Sequence, residues 1–332
     1  MPTFCRHNRL LQNCPICTRE QDVELRPIVS PGGQHAPSAA PARPAGSPRS
    51  RSGTARAGSR ARGGLTVRRL TRGVEDGYRS PLVPGLHSGA DAARLADELA
   101  FAATRLAVLE SDPPGLYAEV ADVGQPLEER TWLAFLIAYL GPLEGDDPFA
   151  GVQQARTTWE SGELAVLDDV ALGPRGAQEQ PRDGRTIEAY RAWAARAGSQ
   201  AAAFTGESSW TAERRFARAY ERLALPGFDR GARFDLLTTL GRLGVYELRA
   251  QALGLGGSDS VTIAAKRLLG IGDSLLLERR AAELAAACEL PLEALDLGFY
   301  NWERGSRATM GLPPDAEPDD VAVAAARAGL GL

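Results

Sequence analysis

Lysine is nearly missing from this chain: Lys266 is the only one, and the other basic side chains are all arginine. Guanidinium groups stay protonated, so any chemistry that needs a lysine amine has a single candidate. The abundance of Ala, Arg and Gly matches a GC-rich genome, so the preference for Arg is not in itself a nucleic-acid signal. No apolar run reaches the ~20 residues of a membrane-spanning helix, and no targeting segment precedes the first cysteine. A soluble, reducing, cytoplasmic setting without a membrane partner is therefore expected. The chain also lacks βαβ alternation, a phosphate-binding Gly-rich loop ending in Lys, and a fixed-period repeat. Those absences argue against a parallel-sheet nucleotide-binding fold and a solenoid.

Histidines number only three and cysteines four, yet most of them fall together. The segment Phe4-Cys5-Arg6-His7-Asn8 is followed by Cys14-Pro15-Ile16-Cys17. A Cys-x-x-Cys turn aims both sulfurs at one point, and Cys5 and His7 are alternate residues of an extended segment. Three thiolates and an imidazole suit a tetrahedral Zn²⁺, and so short an element folds only on metal-binding energy. Four protein ligands leave no open coordination position, so the expected zinc is structural. Unrelated reduced thiols and an iron–sulfur cluster remain open as readings, although the fourth cysteine, Cys288, is remote. A disulfide leaves one cysteine over.

Charge is distributed unevenly. Residues 1–73 carry net +10 and the remainder net −14. Pro31 to Gly64 has no large apolar residue and is rich in Pro, Gly, Ser and Arg, the composition of a disordered tether. It serves either as a plain linker or as an electrostatic arm for a polyanion. The expected layout is a knuckle over 1–20, a linker over 21–64 and a helical domain over 65–332. Within the last, Leu65–Leu70 reads as a short strand or a helical turn. Beyond it the 3.6-residue period dominates. Asp91 to Glu110 aligns Leu95, Leu99, Leu106 and Leu109; Glu128 to Leu140 aligns Trp132, Phe135, Leu136, Tyr139 and Leu140. Further helices are expected at 148–161, 185–203, 211–225, 229–241, 244–253, 259–269, 273–288, 291–304 and 318–329. The class is all-α.

Chemistry concentrates near the only lysine. Thr262-Ile263-Ala264-Ala265-Lys266-Arg267-Leu268-Leu269-Gly270-Ile271-Gly272-Asp273 reads as two helices joined by a Gly-x-Gly turn. Glycines allow the unusual backbone angles, and the turn amides with the next helix N-terminus can hold a phosphate. This stretch resembles the helix-hairpin-helix of the DNA glycosylase superfamily, although the turn is Leu-Gly-Ile-Gly where many members have Leu-Pro-Gly-Val-Gly. With Pro291-Leu292-Glu293-Ala294-Leu295-Asp296-Leu297, Phe299-Tyr300-Asn301-Trp302 and the upstream Trp132–Pro142 helix, the pattern is most similar to the alpha-glutamyl/putrescinyl thymine pyrophosphorylase families, in the clade 3 branch.

The resemblance implies a DNA substrate and a base flipped into a pocket between helical lobes. It implies an amine displacing pyrophosphate from an activated 5-hydroxymethyluracil, with Asp296 orienting the nucleophile or taking its proton. Lys266, Arg267, Gly270 and Gly272 would contact the DNA backbone, and Tyr300 and Trp302 would stack on a base. Ser274 stands where lysine-using glycosylases carry their lysine, so Schiff-base chemistry is not expected. The alternatives are a repair-type glycosylase and a non-catalytic module that binds nucleic acid or protein, the zinc knuckle adding a partner contact. Oligomeric state is not legible.

Overall fold

Ser88 is extended, and its hydroxyl accepts a hydrogen bond from the Asp91 N–H, so the chain turns helical at Gly89. Helix α1 (Gly89–Ser111) buries Leu95, Leu99, Leu106 and Leu109, the stripe that the periodicity selects. The computed structural model describes residues 73–163, 166–167, 169–175 and 182–332, all within the compact unit Thr66–Leu332. The four-ligand cluster Cys5, His7, Cys14 and Cys17, the 1–20 knuckle, the 21–64 linker and the Leu65–Leu70 segment lie outside the described residues. Among the described residues there is no strand, no metal-binding group of three or more His, Cys, Asp or Glu side chains, and no helix long and apolar enough to cross a membrane. Cys288 is buried, and that burial pushes its thiol up to about 11.

The other helices are α2 (Leu116–Ala121), α3 (Leu127–Leu140), α4 (Ala150–Ala155), α5 (Gly184–Ala197), α6 (Gln200–Thr205), α7 (Ala212–Arg222), α8 (Arg230–Arg242), α9 (Ser260–Leu269), α10 (Ser274–Ala287), α11 (Ala294–Arg304) and α12 (Asp320–Leu330). Residues Arg130 to Leu140 of α3 are buried on every face, as a helix apolar all round must be. It packs on α8, and its Phe135 ring stacks on Tyr190 while Phe228 lies tilted against it.

Three helix expectations are corrected. The 185–203 helix breaks at Gly198 (φ 94°), and Ser199 caps a new helix whose first amides, Gln200 and Ala201, donate to the Glu128 carboxylate of α3. The 148–161 helix shortens to α4, and α2 is an extra short helix. Residues 244–253 do not form a helix at all. Their amides find partners elsewhere: Ala250 N–H donates to Glu293, and the Leu253 and Leu255 N–H groups donate to the two oxygens of Glu278 at 2.7 and 2.6 Å. Carboxylates from α10 and from just before α11 thus hold the amides of Ala250, Leu253 and Leu255, while those of Val245, Tyr246 and Arg249 donate to the Leu240 and Ala212 carbonyls.

Helix α11 lies between α1 and α9, and its residues Ala294 to Trp302 are all buried. Gly298 allows this approach: a Cβ there would come within 2.7 Å of Leu99 Cδ2 and 3.1 Å of Leu99 Cα. Gly298→Ala is expected to destabilise the protein by about 1–3 kcal/mol through overpacking, measured by urea denaturation. An unchanged midpoint would show that α1 and α11 separate without strain.

Candidate active site in a buried charge network

Asp296 sits in the first turn of α11 and is 1% exposed. Its Oδ2 accepts from Arg175 Nη2 at 2.6 Å, and its Oδ1 lies 2.7 Å from Arg230 Nη1 as an ion pair without a well-directed hydrogen bond. The arginines extend the chain in both directions. Arg175 Nε pairs with Asp235 Oδ2 at 3.1 Å, and Arg230 Nε pairs with Asp259 Oδ1 at 2.8 Å. The result is an alternating row, Asp235–Arg175–Asp296–Arg230–Asp259, inside the protein. Arg175 belongs to the segment before α5, Arg230 and Asp235 to α8, and Asp259 is the N-cap of α9, where it accepts from the Val261 and Thr262 amides.

Burial acts against the charge of both arginines, but the flanking carboxylates outweigh it and raise their pKa values. They are fixed cations. The three acids are not equivalent. Burial also acts to raise the Asp259 carboxyl, yet Arg230 and hydrogen bonds from Thr262 hold it below its ordinary 3.8. Asp235 moves the other way: burial raises it, Arg175 opposes, and the neighbouring Asp296 charge reinforces the rise. A lowered folded-state pKa gives stability that is present above the unfolded value and lost as pH falls through the folded one. Stability is therefore expected to fall below about pH 4, and Asp259→Asn to flatten that acid limb in melting curves taken between about pH 2 and 6. An acid limb of unchanged steepness would remove Asp259 from the account.

The glycine turn has the form that the sequence suggests. Gly270 ends α9 in the left-handed region (φ 66°, ψ 23°), its N–H donating to Lys266 O, and Asp273 caps α10 through the Leu276 amide. Gly270 and Gly272 are exposed, and Ile271 packs partly against the core. Lys266 Nζ donates to Gly257 O at 3.2 Å, while Arg267 pairs with Glu303 of α11. The two basic residues thus stand beside the turn, each already holding a protein oxygen.

Tyr300 and Trp302 are both buried. Their exposures are 4% and 9%; the Tyr300 hydroxyl donates to Pro174 O, and Trp302 Nε1 donates to Asp91 O. Arg175 lies over the Tyr300 ring and Arg94 over the Trp302 ring. Tyr300 thus helps seat the arginine that grips Asp296.

The space that adjoins Asp296 is far too small for a base. It measures about 10 Å³ and is lined in part by Asp235, Thr238 and Glu293. Glu293 also lines an outer cleft of about 480 Å³ with Arg242 and Arg249, and Arg242 bridges Glu293 to Glu110. Larger hollows beside Phe149 and beside Trp132 do not reach Asp296.

Arg175, Arg230, Asp235 and Asp259 were not legible as site residues. Asp259 reads as an ordinary N-cap, and Arg230 and Asp235 as helix residues among many similar ones. Arg175 shares the Gly/Pro-rich 171–185 stretch with Arg182 and Arg185, so nothing in the sequence set it apart.

Residues 175–305 match the family model for alpha-glutamyl/putrescinyl thymine pyrophosphorylase clade 3. That span begins at Arg175 and contains the whole charge row and the α9–α10 turn. Neither the search of curated proteins nor that of solved structures gave a match.

Proposed function

We propose, from the membership of residues 175–305 in the alpha-glutamyl/putrescinyl thymine pyrophosphorylase clade 3 family, that this protein hypermodifies thymine-derived bases in DNA by transferring an amine. In this reading a 5-hydroxymethyluracil activated as its pyrophosphate is the electrophile. The amine nitrogen forms the new bond to the exocyclic methylene carbon. The C–O bond to pyrophosphate breaks, its electron pair leaving with the pyrophosphate oxygen, and the surplus N–H proton goes to a carboxylate. The observation that carries the assignment is the matched segment itself, because it encloses Asp296 together with every charge that holds it.

Asp296 is the proton acceptor in this reading. Both its oxygens face guanidinium groups, so substrate entry must displace one of the two arginines. Displacement would strip the carboxylate of one counter-charge and strengthen it as a base. The α9–α10 turn supplies the DNA contact: the exposed Gly270–Gly272 backbone approaches a phosphate, with Lys266 and Arg267 beside it. Such a turn between helices is also what a helix-hairpin-helix ancestry of the fold would provide. The N-terminal cluster Cys5, His7, Cys14 and Cys17 would hold a structural zinc that recruits DNA or a protein partner, with no part in the reaction.

The enclosure of Asp296 favours a second reading, a non-catalytic module that binds nucleic acid and uses the charge row for stability alone. Mass spectrometry decides between the two. Duplex oligonucleotides carrying pyrophosphorylated 5-hydroxymethyluracil are incubated with full-length protein and a set of primary amines. Appearance of the amine adduct with release of pyrophosphate is the expected result. DNA that is bound but never modified, with any amine, would leave the binding module.

A further inference from the structure

Asp235 and Thr238 are three residues apart on α8 and so share a face of the helix. Both line the 10 Å³ space beside Asp296, together with Arg105 of α1 and Glu293. Apolar side chains line the rest of it, and a space of that size with several polar groups on its wall accommodates one water molecule. Thr238 Oγ1, on a residue 6% exposed, has no hydrogen-bond partner, and Asp296 Oδ1 has only its ion pair with Arg230 Nη1. A buried hydroxyl without a partner is costly, and one water between Thr238 and the carboxylates would satisfy both atoms.

We propose that this space is a proton-relay site, in which a single water held by the Thr238 hydroxyl links Asp296 to Asp235, making Asp235 the second carboxyl of the reaction centre. The inference rests on the amine-transfer reading. The proton released as the C–N bond forms passes from the amine to Asp296; the water then accepts it and hands one of its own to Asp235. No oxidant or other reactant is consumed.

The surroundings of Asp235 fit a proton store. Arg175 from the segment before α5 and Arg105 from α1 favour its anion, as does Arg230 from its own helix. Asp296 from α11 disfavours it, and burial disfavours it most. Glu293 is the other acid on the wall of the space. Tyr117 of α2 receives a hydrogen bond from Arg105 Nη2 at 3.2 Å, which fixes that arginine's position. Asp235 thus holds a proton more readily than an ordinary aspartate does, one guanidinium away from Asp296.

Thr238→Val tests the site in the full-length protein, since valine keeps the shape and removes the hydroxyl. If the hydroxyl holds a water, the variant melts at a lower temperature than the parent. The carboxyl signal of Asp235 in ¹³C NMR, assigned by its loss in Asp235→Asn, then titrates at higher pH. A hydroxyl without a partner gives the opposite: melting unchanged or raised and an unmoved Asp235 titration, which overturns the proposal. With the oligonucleotide substrate, kcat is expected to fall about tenfold while KM for DNA stays constant, and the acid limb of the pH–kcat profile to follow the Asp235 titration. A moved titration in a protein that never modifies DNA would uphold the water-linked pair and refute the transfer reading. An unmoved titration in an active enzyme would do the reverse.

Discussion

Asp296→Asn is expected to lower base modification by about 10²–10⁴-fold, the usual contribution of a positioned general base, while DNA binding persists. The amide has nearly the volume of the carboxylate, so the packing of α11 against α1 and α9 is retained. It cannot accept a proton from an amine, and its NH₂ group faces guanidinium donors. Some stability is also lost, because Arg175 and Arg230 each keep only one carboxylate. Circular dichroism and DNA affinity measured on the same preparation separate the two effects. Folded protein that binds DNA but forms no adduct supports the catalytic role. Turnover equal to the parent would refute it, and the charge row would then be purely structural.

Arg230→Met should produce the largest loss of stability, about 3–5 kcal/mol, because it leaves two carboxylates buried without their shared partner. Arg230 is 8% exposed, pairs with Asp259 and Asp296, and also donates from Nη1 to Leu253 O at 2.9 Å. That last contact ties α8 to the irregular 244–253 segment, so the variant loses a tertiary anchor as well as two ion pairs. Arg230→Lys keeps the charge but not the planar fork and should fall between the two. Urea denaturation of all three proteins is the measurement. A loss under about 1 kcal/mol for Arg230→Met would mean that Asp259 and Asp296 take up protons or water at little cost, as surface pairs do. The row would then be too loosely held to orient a reacting group.

Helices whose apolar residues recur on one face were readable from the chain. The stripe of α1, the place of α3, and the pair α9–α10 with its glycine turn all follow from the period and the glycine spacing, whereas the burial of Arg130 to Leu140 on every face of α3 was not read from its one stripe. Expectations failed where side chains far away in sequence took over the backbone. Glu278 and Glu293 capture the amides of 250–255, and Glu128 caps the helix that starts after Gly198. Propensity over a local window carries no information about a carboxylate arriving from another helix. Asp296 could be singled out only through the family resemblance, by its distance from the glycine turn, and its burial was invisible, as was that of Tyr300 and Trp302.

The sequence by itself determined an all-helical body, a glycine turn between two helices, an acidic residue one helix further on, and the match of residues 175–305 to one family model. Those features are local, written in short-range spacing and residue type. Only the tertiary structure decided that Asp296 stands in a row of five charges, four buried and Asp259 partly so, and that Arg175, outside any helix, lies between it and Asp235. The physical reason is that a buried ion must be paired, and its partners are chosen by where the packed helices bring charged groups together. Residues 121 positions apart, Arg175 and Asp296, thereby became a single unit.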